Sequence, residues 1–205
     1  MEYLYHHKNG VMFKKVDTED LDLLLDLKNE SWAGTHSTQT LNSINQEDWF
    51  EKISRDHDCL YLMAYLNTIK TEKMVYDARI GTFKLTYINW INSVVNVGHD
   101  VFKPYRGKGY GGLVFNAGVD FCFEILNIHR VECEVIENNY ASKLSVEKGG
   151  LVVEGVKKES VFKNGAYLNS FVMGLTVNDW KKLERIVEYG NSCNLSYSLR
   201  RRTHD

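Results

Sequence analysis

The segment Pro104–Gly112 constrains the fold more than any other part of the chain. It reads Pro-Tyr-Arg-Gly-Lys-Gly-Tyr-Gly-Gly and lies between an apolar run and an amphipathic one. Glycine reaches backbone angles that other residues avoid, and without a Cβ it lets a ligand approach the main chain. The first turn of a helix has unpaired N–H groups, and its dipole attracts anions. The pattern therefore predicts a strand, a phosphate-binding loop carrying Arg106 and Lys108, and then a helix.

Hydrophobic periodicity predicts alternating strands and helices along the rest of the chain. The predicted strands are Val11–Val16, Leu60–Leu66, Ala78–Ile88, Ser93–Phe102, Arg130–Ile136, Leu151–Glu154 and Ser170–Leu175. The predicted helices are Thr18–Lys28, Gln46–Arg55, Gly109–Leu126, Tyr140–Lys148 and Asn178–Gly190. Because no Gly-, Ser- or Pro-rich linker divides the chain, we expect one domain over residues 1–190 and a flexible tail over 191–205.

Composition narrows the class of protein. The chain has 205 residues, 43% of them hydrophobic, which suffices for a substantial core, and its net charge of −2 argues against nucleic-acid binding. The sequence has no apolar run as long as the about 20 residues that a membrane helix needs. Residues 1–10 are polar, so no secretory signal is expected there. Its four cysteines are far apart, which predicts free thiols and a cytoplasmic protein without a metal site.

The glycine loop has a competing interpretation as a dinucleotide-binding turn. Gly107, Gly109 and Gly112 satisfy G-x-G-x-x-G. Glu132 or Glu134 follows at the sequence distance where such motifs have the carboxylate that binds the ribose. That motif normally follows its strand directly and opens a domain, whereas residues 103–106 intervene here. A Walker loop is excluded because no Gly-Lys-Ser or Gly-Lys-Thr is present. A glycine turn without a ligand would leave the two cations of the loop without a role.

A longer pattern resembles a known family. Arg106–Gly111 matches R-x-x-G-x-G, the pyrophosphate loop of the GNAT superfamily of acyl-CoA N-acyltransferases. Further stretches are similar to motifs of its RimJ/RimL-like branch, in the same order: Asn139–Ser142, Glu147–Leu151, Glu154-Gly155 and Asn164–Asn169. The resemblance covers about Val97 to Leu175.

The resemblance implies an α/β (α+β) fold: a mixed, mostly antiparallel central sheet that is splayed at its middle and flanked by helices. Acetyl-CoA would bind in the cleft as cosubstrate. A substrate amine would lose a proton and attack the thioester directly in a ternary complex, through a tetrahedral intermediate whose oxyanion needs donors.

Residue by residue, the resemblance implies that loop N–H groups hold the pyrophosphate and that the preceding strand end pairs with the pantetheine arm. Ser142 would lie near the sulfur. The implied coenzyme contacts are Val101, Phe102, Lys103, Arg106, Gly107, Lys108, Gly109, Tyr110, Gly111, Asn139, Ser142 and Lys148.

The catalytic groups are less well defined by the resemblance. Glu159 lies near the position of a proposed glutamate base, and His99 and Asp100 are alternatives at the splay point. Val146 stands where many members have a tyrosine acid, so that Ser142, water or unassisted thiolate release would replace it. Asn169 stands where an aspartate is common in the branch.

The acceptor side is expected over the polar segment after the first helix, with Asn29, Glu30, Trp32 and His36 as candidate contacts. We expect a small primary amine: an amino sugar, a nucleotide-linked amino sugar or a polyamine. The alternatives are a protein N-terminal acetyltransferase of the RimJ/RimL type and a degenerate acyl-CoA-binding module. No nucleic-acid or membrane partner is expected, and a homodimer is.

Overall fold

A computed structural model describes residues 3–31, 41–68, 75–189 and 195–201. An eight-stranded sheet in the order β1-β2-β3-β4-β5-β6-β8-β7 forms its centre. The strands are β1 (Tyr5–His6), β2 (Val11–Lys15), β3 (Leu60–Thr68), β4 (Val75–Asn89), β5 (Val94–Val101), β6 (Arg130–Ile136), β7 (Val152–Lys163) and β8 (Ala166–Thr176). Neighbouring strands run antiparallel except β5 and β6, which are parallel. The predicted mixed, mostly antiparallel sheet is confirmed.

Five helices accompany the strands in the described chain. They are α1 (Leu21–Ser31), α2 (Ser43–Arg55), α3 (Tyr110–Glu124), α4 (Tyr140–Lys148) and α5 (Val177–Trp180). A capping box between Asp17 and Asp20 starts the 3-10 turn that leads into α1, and Asn42 caps α2 in the same way. None of these helices is long and apolar enough to cross a membrane.

The two faces of the sheet are covered by different helices. Phe83 of β4 lies under α3, where a Cβ built on Gly118 would be 2.3 Å from its ring. The next residue, Lys84, faces the opposite side, because successive side chains of a strand alternate. On that side α1 and α2 cover a second, smaller core formed by Met12, Val16, Leu24, Leu27, Met63, Tyr65 and Phe102. Two adjacent residues of β4 or β5 therefore belong to different layers.

The sheet opens between its two parallel strands. The β5–β6 ladder contains only the pairs from Val94↔Arg130 to Asn96↔Glu132. Beyond it, β5 continues to Val101 and β6 to Ile136 without pairing to each other, while β5 keeps its ladder with β4. This opening, bounded by residues 97–101 and 133–136, is the splay that the family resemblance implied, and we call it the cleft.

The C-terminal region differs from the prediction. The expected helix from Asn178 to Gly190 is wrong, because α5 ends at Trp180 and a strand, β9 (Leu183–Tyr189), follows. The N-cap is Thr176, whose hydroxyl accepts from the Asp179 N–H at 3.2 Å. Buried Asp120 holds α5 in place by accepting the Trp180 indole N–H at 2.8 Å. The β-branched pair in the middle of β9 favours a strand over a helix once α5 has stopped.

Part of the tail that the sequence predicts to be flexible forms a strand, and its flexibility stays a prediction. Residues 195–201 form β10 (Leu195–Arg201), which pairs antiparallel with β9 in a separate two-stranded sheet. The limits of the single domain stay a prediction. The hairpin of β7 and β8 is also longer than predicted. The sequence pattern missed most of β7, because the residues of this edge strand are mostly exposed and do not alternate between apolar and polar.

Candidate active site

The glycine loop has the backbone that an anion site needs. A short 3-10 turn, Lys103–Tyr105, leaves β5, and Gly107 and Gly109 then adopt positive φ angles of 72° and 87°. Gly109 is the N-cap of α3 and offers no side chain to the first turn of this 15-residue helix. The N–H groups of that turn are thus directed at the rim of the cleft, with the positive end of the helix dipole.

Arg106 connects the loop to two other elements. Its Nε donates to the Val101 carbonyl at the end of β5 at 2.8 Å, and its Nη2 donates to Ser31 Oγ at 3.3 Å. Its Nη1 lies 3.4 Å from a Glu30 carboxylate oxygen, and Lys103 Nζ lies 3.9 Å from the other oxygen. Glu30, an expected acceptor contact, therefore faces the cations of the coenzyme loop.

The second half of α4 packs against the start of α3. A Cβ on Gly111 would lie 2.7 Å from Ser145 Oγ, and a Cβ on Gly112 would lie 3.0 Å from Lys148 Cδ, so both glycines permit this close approach. Asn139 is the N-cap of α4 and accepts from the Ser142 N–H at 3.1 Å. Three of the expected coenzyme contacts thus belong to the helix that borders the loop. Ser145 was missed, since it lies outside the quoted motif.

His99 belongs to the α3 side of the sheet. Its ring packs edge-on against Phe115, with 5.0 Å between the centroids, and a Cβ on Gly111 would lie 3.5 Å from its Nε2. Burial, together with the positive charge of Lys84, lowers the pKa of His99 to about 4. The imidazole is therefore neutral at neutral pH and lies beneath the loop.

Asp100 belongs to the opposite face, the side covered by α1 and α2. Its carboxylate lies 3.9 Å from Lys84 Nζ and is one quarter exposed. Burial raises the pKa of Asp100, and the charges of Lys84, Arg106 and Lys28 oppose that rise. The sequence left His99 and Asp100 as alternative catalytic bases, and in the structure these adjacent residues lie on opposite faces of the sheet.

Glu159 lies away from the cleft along the sheet. It is on the edge strand β7, so that β8 and β6 lie between it and the cleft. Its φ is +49°, and its N–H donates to Asn169 Oδ1 at 2.9 Å. Asn169 Nδ2 in turn donates to Glu137 Oε2 at 2.9 Å, which an aspartate in its place could not do. The departure at Asn169 therefore serves local hydrogen bonding.

Two further positions were singled out from sequence. Val146, which replaces the tyrosine acid, is buried in the α3-side core. Asn29 holds Leu41 through two hydrogen bonds, donating from Nδ2 to its carbonyl at 3.0 Å and accepting from its N–H at 2.9 Å. Trp32 and His36 lie outside the described residues.

A sheet opened between two strands, with a glycine loop and a helix N-terminus at its rim, defines an acyl-CoA-dependent acyltransferase. Comparison with known families supports this class: the model of the acetyltransferase (GNAT) domain matches residues 11–152. The chain belongs to this family and is an N-acyltransferase. The dinucleotide-binding alternative is thereby removed, in agreement with the 3-10 turn that separates β5 from its loop.

Several characterised and uncharacterised proteins are similar in sequence. The spermidine N(1)-acetyltransferase of Vibrio cholerae is 30% identical over 125 residues, which are 58% of this chain and 72% of that protein. The SPbeta prophage-derived uncharacterized N-acetyltransferase YokL of Bacillus subtilis is 32% identical over 185 residues, covering 88% of this chain and 98% of YokL.

Solved structures share the fold. The Vibrio cholerae spermidine N-acetyltransferase in complex with CoA and spermine superposes with a TM-score of 0.74 at 20% identity, over 85% of this chain and 99% of that one. At this identity the likeness concerns the fold alone.

Proposed function

We propose that this protein transfers an acetyl group from acetyl-CoA to a primary amine of a small molecule. The observation that carries the proposal is the cleft between β5 and β6, with the Arg106–Gly111 loop at its rim and Asp100 on its wall. The name of the Vibrio cholerae relative, a spermidine N(1)-acetyltransferase, supports an amine acceptor.

The coenzyme binds along the unpaired edge of β5. Beyond Asn96 this strand pairs with β4 on one side only, so its other edge offers main-chain groups from Val97 to Val101 to the amides of a pantetheine arm. The loop N–H groups and the cations Arg106 and Lys108 then hold the pyrophosphate. Lys108 Nζ presently donates to the Pro104 carbonyl at 2.8 Å, within the same loop.

Asp100 is the proton acceptor of the reaction. The amine nitrogen forms a bond to the acetyl carbon, its proton passes to the Asp100 carboxylate, and the carbon–sulfur bond breaks to release the CoA thiolate. A carboxylate whose pKa is raised by burial is a stronger base than an ordinary one. His99, whose pKa burial lowers to about 4, is a weaker base than an ordinary histidine and lies on the α3 face beneath the loop, and Glu159 lies two strands away. N–H groups of the β5 edge stabilise the oxyanion.

The CoA thiolate that leaves needs a hydrogen-bond donor or a proton, and α4 carries hydroxyl groups next to the coenzyme loop. Val146 supplies no proton. Of the two serines of α4, Ser145 donates its hydroxyl to the Ala141 carbonyl at 3.0 Å, so Ser142 in the first turn is the better candidate donor to the thiolate. Membership of the RimJ/RimL-like branch, a homodimeric state and a cytoplasmic location stay predictions from sequence.

Calorimetric titration with acetyl-CoA, with NAD as the control, tests the proposal first. We expect micromolar binding of acetyl-CoA and none of NAD, followed by acetyl transfer to members of a panel of small amines. Transfer to peptide N-termini alone would favour the protein acetyltransferase, and binding without transfer to any amine would indicate a degenerate acyl-CoA-binding module.

The ion pair between Glu30 and Arg106 gives a further prediction. Each side chain is 39% exposed, so the pair contributes roughly 0–1 kcal/mol to stability. Glu30→Gln releases Arg106 for the pyrophosphate, and we expect acetyl-CoA to bind about two- to fivefold more tightly. Glu51→Gln, which removes an exposed pair with Arg55, is the matched control and leaves this affinity unchanged. A raised KM for the amine with unaltered coenzyme affinity would instead return Glu30 to the acceptor site.

A further inference from the structure

Two lysines lie on the same face of the sheet as Asp100. Lys84 of β4 crosses the neighbouring strand, since a Cβ on Gly98 would be only 2.5 Å from Lys84 Cε, and its Nζ lies 3.9 Å from the Asp100 carboxylate. Lys28 of α1 belongs to the helical layer that covers this face, and its Nζ lies 3.6 Å from the centre of the Trp49 ring. Both ammonium groups thus border the place where the acceptor amine meets its base.

An aromatic pair connects the surroundings of the two lysines. Trp49 packs edge-on against Tyr61, with 4.9 Å between the ring centroids, and Tyr61 is the β3 partner of Lys84 in the sheet register. Burial raises the pKa of Tyr61 to about 12, so its hydroxyl stays neutral and polar. The surroundings of the two lysines are therefore partly apolar, which strengthens any ionic contact that they make.

The positive charge of this region is not balanced by the described carboxylates around it. Glu30 is held by Arg106 and Lys103. Across the cleft, the two β6 carboxylates on this face have cations of their own: Glu132 pairs with Arg130, and Glu134 pairs with Lys157. Asp100 is left to compensate two ammonium groups, and it loses its charge when it accepts the proton of the amine.

The electrostatics of Lys28 agree with an uncompensated site. Burial is the main cause that lowers its pKa to about 8, and the positive charge of Lys84 lowers it further. An anion placed between the two lysines would relieve both effects, because it would replace lost hydration and separate like charges.

We propose, resting on the acetyltransferase function above, that the acceptor carries an anionic group, a carboxylate or a phosphate, which Lys84 and Lys28 bind while its amine faces Asp100. An acceptor that consists only of ammonium groups meets like charges at this site and is disfavoured. The chemical class is therefore an amino acid or a phosphorylated amine, including an amino sugar that bears phosphate. Lys84 and Lys28 are specificity-determining residues for it.

Matched pairs of amines test this inference. Glucosamine 6-phosphate is compared with glucosamine, and L-lysine with 1,5-diaminopentane, its decarboxylated counterpart; spermidine is the purely cationic probe. We expect kcat/KM to be about tenfold or more higher for the anionic member of at least one pair. The phosphate and carboxylate pairs then distinguish the two anions. Equal kcat/KM values for the members without an anionic group, which are glucosamine, 1,5-diaminopentane and spermidine, would overturn the inference. The proposed acetyltransferase function would then still stand. No transfer to any amine of the panel would overturn the proposed function.

Variants of Lys84 locate the effect. Lys84→Gln is expected to reduce the ratio of kcat/KM values within the preferred pair by about tenfold, whereas Lys84→Arg keeps the charge and preserves most of the ratio. A ratio cancels any loss common to both members, such as an altered Asp100. The exposed Lys181→Gln is the control for net charge and leaves the ratio unchanged. A ratio that Lys84→Gln and Lys28→Gln both leave intact would overturn the assignment of these lysines.

Discussion

Replacing Gly109 by valine is expected to abolish acetyl-CoA binding, with a loss of at least about 100-fold in affinity, or ~3 kcal/mol. Gly109 has φ +87° as the N-cap of α3, a conformation that a β-branched residue adopts only with strain. The added side chain would also stand between the pyrophosphate and the N–H groups of the first turn. Calorimetric titration of the folded variant with acetyl-CoA measures the loss.

The hairpin turn between β7 and β8 provides the matched control. Gly165 has a similar φ of +82°, and a Cβ there would have nothing within 4 Å. Gly165→Val therefore carries a comparable strain, about 1–3 kcal/mol of stability, without touching the loop. Chemical denaturation should show similar destabilisation of the two variants, while only Gly109→Val loses the coenzyme. Retained binding in Gly109→Val would remove the pyrophosphate from this loop.

Replacing Asp100 by asparagine is expected to lower turnover by about 100- to 10,000-fold, the usual contribution of general acid–base catalysis. Coenzyme affinity should stay close to that of the parent protein, because the ion pair of the carboxylate is with Lys84 of β4 and not with a cation of the loop. Steady-state kinetics at saturating acetyl-CoA separate the two effects. Glu159→Gln, two strands from the cleft, serves as the comparison. Loss of turnover in Glu159→Gln with an active Asp100→Asn would transfer the base to Glu159.

The pH dependence of kcat/KM follows from the same carboxylate. Burial raises the pKa of Asp100 above its ordinary value. Since the base acts in its ionised form, activity rises as the pH increases through that raised pKa and falls as the pH drops below it. Asp100→Asn should lose this limb and keep the limb that belongs to the amine substrate at higher pH. A parent profile without an acidic limb would contradict the assignment.

Much of the fold was predictable because its signals are local. The strand Arg130–Ile136 and the helix Tyr140–Lys148 have the predicted bounds, since each combines a clear period with a turn or cap at its ends. The C-terminal helix was wrong because Trp180, Leu183 and Val187 fit a helical period equally well. The anchor of α5 is a contact between residues 60 apart in sequence, Trp180 and Asp120, which a local pattern does not reveal.

The site was predictable in its loop and much less in its side chains. Glycine spacing specifies a backbone conformation, and the observed angles at Gly107 and Gly109 follow from it. Whether His99 or Asp100 faces the acceptor depends on which face of β5 α3 covers, and this is a tertiary fact. The approach of Lys28 to Lys84 likewise joins a helix and a strand that are distant in sequence.

The double hydrogen bond between Asn29 and Leu41 has a consequence for how much change this chain tolerates between α1 and α2. The side chain of Asn29 holds the main chain of Leu41, so the ends of the intervening segment are fixed by atoms outside it. The entropic cost of closing a loop grows only slowly with its length. Insertions, deletions and exchanges within residues 32–40 are therefore expected to leave α1, α2 and the coenzyme loop in place. Residues 32–40 can therefore act as an exchangeable cassette, while Glu30 and Ser31 of α1 keep their contacts with Arg106.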